Sequence, residues 1–425
     1  MNILFLASWY PTSRDRYSGL FIKKHASAAK ESGNDIAVLA IVIHRSKRLW
    51  KKRIEDNYDE NGVRTILIEI ETRFRDVVYH FIPLQYSIVK KVFDRYISKS
   101  FFPDLIHSNV VFPAGIIGDK LARALHIPNV VTEHWTQVRK FFMKPLLSRM
   151  GANVYANAAR ILPVSQFLKQ EIVAGMNGRL KLTKIEPPGA KTAADSGYEA
   201  VGGREGWYFF NGVDKFRVIG NVVDPEIFAY KPKVPKEGEV HICSIGTWNR
   251  THNLTKRPEI LIEALSILQP EFDKKIKLTM IGGGNRLEEL KELCRNRGLD
   301  TEFVGYLPSQ EIAAILHLSD YMAHCSDMET FCIVVAEAIM TGTPVICSNV
   351  GALGELMSEE SGVAKGIMCE NTVNDWYHKL KIALLRNFDN EAIATEIRNK
   401  YTPQAISRKL GEVYDELFCQ IKKID

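Results

Sequence analysis

The sequence predicts an α/β protein made of two similar halves. Short apolar runs alternate with amphipathic stretches along the 425 residues, as a parallel sheet with crossover helices requires. The alternation runs through the first half of the chain and begins again near Val240. Because a domain usually contains about 100–200 residues, the length also favours two domains.

In the first half, each apolar run predicts a buried strand, and the patterns between the runs predict helices. The predicted strands are Asn2–Ala7, Asp35–Val42, Val63–Ile70, Leu105–Ser108, Asn129–Thr132 and Arg160–Pro163. The predicted helices include Leu20–Glu31, Pro113–Leu125 and Gln166–Ala174.

The second half repeats this alternation. Its predicted strands are His241–Gly246, Lys277–Gly282, Glu302–Val304, Tyr321–His324 and Pro344–Cys347, and its predicted helices are Arg257–Leu268, Arg286–Asn296, Ser309–Leu318 and Phe331–Thr341. Between the two series, the prolines and lysines of Val223–Gly238 predict a polar linker. Two halves joined in this way imply a cleft between them, where ligands are expected to bind.

Charge and cysteine content narrow the range of partners. The net charge of +6 divides into +13 for residues 1–220 and −7 for the remainder, so the basic half predicts an anionic partner. Seven cysteines without a C-x-x-C pair favour free thiols in a reducing compartment over a disulfide or zinc framework. The sequence shows neither a membrane-spanning run nor a convincing signal peptide, and we expect a cytoplasmic protein.

The strongest chemical signal lies between Asp327 and Ile346. Glu329 precedes a helix that is predicted to begin near Phe331, and Glu337 lies a little under two turns into that helix. The unpaired N–H groups of a first helical turn form an anion site suited to a diphosphate. Apolar neighbours surround Glu337, which argues against a merely solvated position. Such a carboxylate can hold the vicinal hydroxyls of a ribose.

This segment resembles the E-x7-E signature of the family 4 retaining glycosyltransferases, which have the GT-B fold. The matching residues are Glu329-Thr330-Phe331-Cys332, Glu337-Ala338-Ile339-Met340, Gly342-Thr343-Pro344-Val345 and Gly351-Ala352-Leu353-Gly354-Glu355. Cys332 stands where the family commonly has glycine. The resemblance implies two Rossmann-like domains facing across a cleft, with a C-terminal helix that returns to the first domain. It places an acceptor-binding domain at residues 1–222, a nucleotide-sugar-binding domain at 236–402 and the returning helix at 403–425.

Further matches extend the resemblance over nearly the whole chain. Trp9-Tyr10-Pro11 with Ser18-Gly19-Leu20 resembles the first βα loop of the family, where a glycine such as Gly19 allows the backbone to approach the donor phosphates. Thr132-Glu133-His134 resembles the element that points a histidine, here His134, towards the donor sugar. The resemblance places His107 and Asn221 on the acceptor side and Gly282 and Gly283 in a turn beside the nucleotide.

The resemblance also implies a cationic site for the diphosphate. Lys256 matches the family lysine, whereas the matching arginine is left open between Arg250 and Arg257. Neutralising a leaving nucleoside diphosphate requires such cations. The chain has no D-x-D motif, so we expect a metal-independent reaction that needs no cofactor beyond the nucleotide-sugar co-substrate. In the implied site, Glu329, His134 and Lys256 act in catalysis, while Thr330, Phe331, Cys332, Ile333, Val334 and Glu337 complete the donor site.

The resemblance implies a hexosyltransferase that moves sugar from a UDP- or GDP-sugar to a glycan or lipid-linked hydroxyl, in cell-surface polysaccharide, capsule or lipopolysaccharide synthesis. Three alternatives stay open. A related epimerase or hydrolase would act without an acceptor, and a non-enzymatic nucleotide-sugar binding module would show no turnover. A phosphorylase-like enzyme would need a lysine for pyridoxal phosphate, for which no motif is present.

Two basic stretches suit an anionic membrane surface. Residues 44–53 contain six cations and Trp50, and Arg139–Leu147 interleaves cations with large apolar residues. One expectation is peripheral contact at the inner face of the cell membrane through Arg45–Arg53, and the alternative is that these stretches are solvated loops. Nucleic acid is not expected, because no recognised binding module accompanies the charge. Glu186–Phe216 is interpreted as an inserted surface loop or hairpin.

Overall fold

The computed structural model describes residues 1–177, 209–210, 213–233, 236–250, 256–359 and 361–421. The chain divides into two compact units. The first contains Met1–Gly220 together with the chain from Ile406 onwards, and the second contains Asn221–Ala405. Most of the predicted insertion Glu186–Phe216 lies outside the described residues. Among the described residues, no helix combines the length and the apolar character that crossing a membrane would require.

A seven-stranded sheet forms the centre of the first unit. Its strands are β1 (Asn2–Ala7), β2 (Asp35–Arg45), β3 (Lys51–Tyr58), β4 (Arg64–Thr72), β5 (Leu105–Asn109), β6 (Asn129–Glu133) and β7 (Arg160–Pro163). They lie in the order β3-β4-β2-β1-β5-β6-β7, and all pairs are parallel except β3 with β4. The central strands are almost continuously apolar because a parallel sheet is covered on both faces. β3 is polar and mostly exposed, as an edge strand can be.

Helices cover this sheet. They are α1 (Leu20–Glu31), α2 (Arg75–His80), α3 (Ile82–Val92), α4 (Ile116–Leu125), α5 (Val138–Phe142), α6 (Pro145–Asn157) and α7 (Gln166–Asn177). The predicted helix Pro113–Leu125 is regular only from Ile116, because a π-helical turn occupies Val111–Gly115. After α7, a short antiparallel pair joins β8 (Phe209–Phe210) and β9 (Val213–Asp214).

The second unit is built on a six-stranded parallel sheet. Its strands are β10 (Glu239–Thr247), β11 (Lys275–Gly283), β12 (Asp300–Gly305), β13 (Tyr321–His324), β14 (Val345–Ser348) and β15 (Gly366–Cys369), in the order β12-β11-β10-β13-β14-β15. Its helices are α8 (Pro258–Leu268), α9 (Leu287–Asn296), α10 (Ser309–Leu318), α11 (Ile333–Met340), α12 (Leu353–Met357), α13 (Val373–Leu385) and α14 (Asn390–Tyr401). Trp248 and Trp376 are buried in its core.

The predicted polar linker is part of the second unit in its described residues. Phe228 is fully buried. The Lys233 ammonium donates to the carbonyls of Leu316 and Ser319 and to the Thr343 hydroxyl. Burial lowers the pKa of Lys233 to about 8. The described residues from Asn221 to Lys233 therefore belong to the second unit and do not form a free linker.

The last helix, α15 (Pro403–Ile421), returns to the first unit from Ile406 onwards. The Tyr414 hydroxyl lies 2.7 Å from Nδ1 of His107 on β5, and Arg160 on β7 pairs with Glu416. The predicted α/β class with two Rossmann-like domains and a returning C-terminal helix is confirmed.

Candidate functional site

A cluster of buried charged and polar side chains lies at the carboxyl end of β13 in the second unit. Glu329 follows that strand, and its Oε1 lies 2.7 Å from Nε2 of His324, the last residue of β13. The Lys256 ammonium donates to the same carboxylate oxygen and lies 3.3 Å from the His324 Nε2. Glu329 is 7% exposed. The carboxyl edge of a parallel sheet is where such folds bind ligands.

The backbone holds Lys256 beside this strand end. Lys256 forms an isolated antiparallel bridge with Ser326, and the next amide, that of Arg257, donates to the Cys325 carbonyl over 3.0 Å. Helix α8 begins directly afterwards at Pro258. The lysine is therefore placed by main-chain bonds, and its side chain spans the distance to Glu329.

The three groups shift one another's proton affinities. Burial alone would raise the pKa of the Glu329 carboxyl, but the Lys256 ammonium and the bond from His324 outweigh it and lower that pKa to about 2. Burial and the nearby Lys256 charge lower the pKa of His324, so its ring is neutral. Burial disfavours the charged form of Lys256, yet Glu329 keeps its pKa above the ordinary value. The pair is thus an ammonium and a carboxylate at neutral pH.

Cys332 occupies a backbone conformation that favours glycine. It precedes α11 with φ 69° and ψ 77°, in the left-handed region. Its Sγ lies 3.3 Å from Nε2 of His324, so the thiol belongs to the same cluster. The glycine that the family commonly has here is explained by this positive φ, which costs a residue with a Cβ about 1–2 kcal/mol.

The anion site is predicted at the N-terminus of helix α11. Its first intrahelical bonds run from the amides of Val335 and Ala336 to the Cys332 carbonyl. The amides of Ile333 and Val334 precede these bonds, at the positive end of the helix dipole. Thr330 is buried in the connecting loop, and the Phe331 ring packs against Tyr401 with centroids 4.9 Å apart. Phe331 thus anchors the loop through its ring.

Glu337 is buried on α11, with 6% of its surface exposed. This agrees with the expectation from its five apolar neighbours, of which Val335, Ala336, Ala338 and Ile339 are buried and Val334 is half-buried. Burying a charged carboxylate costs free energy unless the group is paired, so a buried glutamate indicates a partner or a functional role. The holding of a ribose by Glu337 stays a prediction.

The structure distinguishes the two candidate arginines. Arg257 donates from Nε to Glu259 over 2.5 Å and from a terminal nitrogen to Asp327 over 3.2 Å, in the residues that lead to Glu329. The Arg250 side chain is largely exposed and pairs with Glu289 of α9. Arg257 thus adjoins Lys256 and binds the residues before Glu329, and which of the two arginines contacts a diphosphate stays a prediction.

The two glycines that end β11 serve chain packing. Gly282 has φ 123°, and a Cβ there would lie 1.9 Å from the Gly246 carbonyl oxygen on β10. The Gly283 carbonyl accepts from the Trp248 amide over 2.7 Å. Both residues thus hold β10 and β11 close together, and direct contact with a nucleotide stays a prediction for them.

His324, Glu329 and Cys332 could also hold a metal ion. One ligand atom from each lies within 4.8 Å of the other two, and all three residues are buried. Nitrogen, oxygen and thiolate donors of this kind suit zinc. The Lys256 ammonium engages the same Glu329 oxygen, so a cation would compete with it.

In the first unit, Glu133 ends β6 and organises the loop that follows. Sequence reasoning did not single out this residue. Its carboxylate accepts from the amides of His134, Trp135 and Val111 over 2.8–3.0 Å and from the Tyr155 hydroxyl over 2.7 Å. Burial raises the pKa of Glu133, and these donors oppose that effect only in part. Glu133 therefore fixes the loop that carries His134.

His134 lies among aromatic rings after β6. It is nearly buried. The centroid of its ring lies 4.4 Å from that of Phe21 and 5.3 Å from that of His25, both on α1. Gly19 caps this helix with φ 68°, and a Cβ there would lie 2.2 Å from the Trp9 carbonyl oxygen. The structure therefore brings the loop after β1, the start of α1 and His134 into one region of the first unit.

Two polar groups that sequence reasoning missed lie at the same edge of the sheet. Ser8 follows β1, and Asn109 ends β5, which pairs with β1. The Ser8 Oγ and the Asn109 Oδ1 are buried without a hydrogen-bond partner in the described part of the chain. Their residue types are too common in loops for the sequence to mark them.

The acceptor-side prediction for His107 needs correction. His107 is fully buried, with Nδ1 2.7 Å from the Tyr414 hydroxyl and Nε2 2.6 Å from the Thr132 hydroxyl. Burial lowers its pKa to about 3. Both ring nitrogens are thus occupied in joining β5, β6 and α15. Asn221 is buried just beyond Gly220 and begins the second unit, and its contact with an acceptor stays a prediction.

Comparison with known proteins identifies the family. The model of the glycosyl transferases group 1 matches residues 230–405, and that of glycosyltransferase family 4 matches residues 43–184. An uncharacterised glycosyltransferase of Methanocaldococcus jannaschii is 24% identical over 377 residues, covering 85% of this chain and 88% of its own. The alpha-monoglucosyldiacylglycerol synthase of Streptococcus pneumoniae is 25% identical over 330 residues, covering 76% of this chain and 66% of its own.

A solved structure shares the fold. The Anabaena protein HepE, determined in complex with UDP, superposes with a TM-score of 0.66 at 16% identity, covering 98% of this chain and 100% of its own. The two family matches divide between the two halves that the structure shows. The chain therefore belongs to the group 1, family 4 glycosyltransferases and has their GT-B fold.

Proposed function

We propose that the protein transfers a hexosyl residue from a UDP- or GDP-sugar to a hydroxyl of a glycan or lipid-linked acceptor, with retention at the anomeric carbon. The observation that carries this proposal is the cluster of half-buried Lys256 with buried Glu329 and His324 beside the N-terminus of α11. The UDP bound by HepE, a neighbour in fold, supports a nucleotide donor.

The donor diphosphate would bind at the start of α11. The N–H groups of Ile333 and Val334 and the Lys256 ammonium supply the positive charge there, with Arg257 as the second cation. Glu329 would accept a hydrogen bond from a donor-sugar hydroxyl, and Glu337 would hold the ribose hydroxyls.

Charge compensation is the main catalytic effect in this proposal. As the bond between the anomeric carbon and the diphosphate oxygen breaks, negative charge develops on the leaving group, and Lys256 stabilises it. The acceptor oxygen forms the new bond to the anomeric carbon on the same face, and its proton passes to the departing phosphate. No protein general base and no metal ion are required in this scheme.

The acceptor would bind in the first unit, near His134. The aromatic surroundings of that histidine and the buried polar groups of Ser8 and Asn109 offer stacking surfaces and hydrogen bonds to a sugar hydroxyl. The diacylglycerol glycolipid in the name of the Streptococcus pneumoniae relative supports a lipid-linked acceptor. We propose cell-surface glycan assembly at the inner face of the membrane as the setting.

Transfer is tested by incubating the purified protein with UDP- and GDP-hexoses labelled in the sugar, with and without a panel of lipid and oligosaccharide acceptors. The proposal predicts that label enters one acceptor in an α linkage from an α-linked donor, and that nucleotide release depends on that acceptor. Free sugar released without an acceptor would indicate a hydrolase, and an altered donor sugar an epimerase. Donor binding without any turnover would support the binding module.

A further inference from the structure

An exposed surface of the first unit combines apolar side chains with unpaired cations. It consists of residues 45–53, which run from the end of β2 into β3, and residues 73–81, which include α2. We call it the basic apolar surface. Leu49 is 62% exposed and Val77 67% exposed, and Trp50, Phe74 and Phe81 are also exposed. Large apolar side chains exposed together mark an interaction site.

Hydrogen bonds hold the two segments side by side. The Arg73 amide donates to the Arg48 carbonyl over 2.7 Å, and the Ser46 amide donates to the Thr72 carbonyl over 3.1 Å. The Thr72 hydroxyl donates to the Leu49 carbonyl over 2.6 Å and accepts from the Phe74 amide over 3.1 Å. Leu49 and Phe74 are therefore neighbours, although 24 positions separate them in the sequence.

The charge of this surface is strongly positive. The two segments contain eight lysines and arginines and a single acid, Asp76. Asp76 is shared by Arg45 and Arg75, and Glu71 at the end of β4 is shared by Arg14, Arg48 and Lys51. Lys47, Lys52 and Arg73 form no ion pair within the described residues. An excess of cations therefore faces outwards.

A second basic segment adjoins the same side. The Phe112 ring lies between His80, at the end of α2, and Phe141 of α5, with centroids 5.6 Å from each. Around α5, Arg139, Lys140 and Lys144 are exposed, and Met143 is 72% exposed. The apolar and basic character thus continues from α2 to α5.

We infer that the basic apolar surface binds an anionic lipid bilayer. Leu49, Trp50, Phe74, Val77 and Phe81 would enter the interface, while the surrounding cations contact lipid phosphates. Charge complementarity selects this partner, and the exposed Trp and Phe residues favour a bilayer over a nucleic acid, since binding of a nucleic acid by charge needs no exposed leucine or valine. Binding requires neither donor nor acceptor, so it can be tested apart from the proposed transfer reaction.

The test is co-sedimentation of the full chain with vesicles of phosphatidylcholine alone and of phosphatidylcholine with phosphatidylglycerol. The double variants Leu49→Ser with Trp50→Ser, and Lys47→Glu with Lys52→Glu, remove the apolar and the charged contribution. Leu385→Ser and Lys274→Glu alter exposed residues of the second unit and serve as matched controls. Equal thermal unfolding of all variants shows that they fold.

We expect the wild type to bind the anionic vesicles at least ten-fold more tightly than the neutral ones, with most of that gain lost in 0.5 M salt. Each double variant should bind at least ten-fold more weakly, and the controls should match the wild type. The emission of Trp50 is obtained by subtracting the spectrum of Trp50→Phe from that of the wild type. This emission should shift to shorter wavelength on binding. Absence of wild-type binding, equal binding by the double variants, or binding to an oligonucleotide in place of vesicles would overturn the inference.

Discussion

Two buried glutamates, one in each unit, occupy comparable places at strand ends, but the pKa of one is raised and the pKa of the other is lowered. Glu133 ends β6 and is surrounded by neutral donors, three amides and a tyrosine hydroxyl, so burial prevails and its pKa rises. Glu329 follows β13 and meets a lysine and a histidine, so the opposite charge prevails and its pKa falls to about 2. Both carboxylates are buried, so the charge of their hydrogen-bond partners accounts for the difference between the two pKa values.

This difference indicates a division of roles. The donors of Glu133 are main-chain groups and one fixed hydroxyl, so that carboxylate organises a loop. Glu329 holds a flexible lysine that a diphosphate can engage instead, so its pairing can exchange on ligand binding. Substitutions in the two clusters should therefore distinguish a carboxylate that organises a loop from one that prepares a binding site.

Lys256→Met should have the largest effect. It removes the charge proposed to stabilise the leaving diphosphate while keeping most of the side-chain volume, and we expect kcat to fall by about 100-fold or more. Steady-state kinetics with the identified donor measure this, with Lys291→Met on the surface of α9 as the control. A kcat within about three-fold of the wild type would remove Lys256 from the mechanism.

Glu329→Gln should change both activity and acid stability. Because the folded-state pKa of about 2 lies below the ordinary 4.5, Glu329 stabilises the fold above pH 4.5. This contribution is lost as the pH falls towards 2. We expect the variant to lose activity and to show a flatter decline in unfolding free energy over this range.

Chemical denaturation of the wild type and Glu329→Gln between pH 2 and 7 measures the acid effect. The contribution is at most about 3 kcal/mol, since one pKa unit corresponds to about 1.4 kcal/mol. Parallel pH curves for the two proteins would show that the Lys256–Glu329 pair does not form in solution.

Glu133→Ala should destabilise the first unit without the same acid dependence. It leaves four donors, three of them in buried hydrogen bonds, without their acceptor, and we expect a loss of about 3 kcal/mol or more. Since the pKa of Glu133 is raised, its ionisation destabilises the fold as the pH rises above 4.5, so the difference from wild type should narrow in that direction. Glu288→Ala, at an exposed position of α9, is the control, and a loss equal to the control's would argue against an organising role.

The sequence was informative where chemistry follows a local pattern. The apolar runs of Asn2–Ala7, Arg160–Pro163 and Tyr321–His324 predicted strands to the residue, because buried parallel strands are continuously apolar. β3 was missed because Lys51–Tyr58 is polar, and only its pairing with β4 makes it a strand. The roles of Glu133 and His324 depend in part on partners distant in the sequence, Tyr155 and Lys256, which the spacing of residues along the chain does not reveal.

Cys332 shows where local pattern and structure meet. The departure from glycine was visible in the sequence, whereas its positive φ and its thiol contact with His324 required the structure. Cys332→Gly and Cys332→Ala both remove the thiol, but only glycine relieves the left-handed backbone. We expect the glycine variant to be more stable than the alanine variant by about 1 kcal/mol, measured by chemical denaturation. An alanine variant that is as stable as the glycine variant, or more stable, would show that this backbone conformation is not adopted.

The most direct test of the central claim, a nucleotide-sugar site around α11, is thermal unfolding of the wild type and Glu337→Ala with each UDP- and GDP-hexose. Glu288→Ala serves as the exposed control. We predict that one nucleotide sugar raises the Tm of the wild type and of Glu288→Ala by several degrees and that of Glu337→Ala by less than half as much, because only bound ligand stabilises the folded state. No shift with any nucleotide sugar, or an equal shift in Glu337→Ala, would contradict the proposed site.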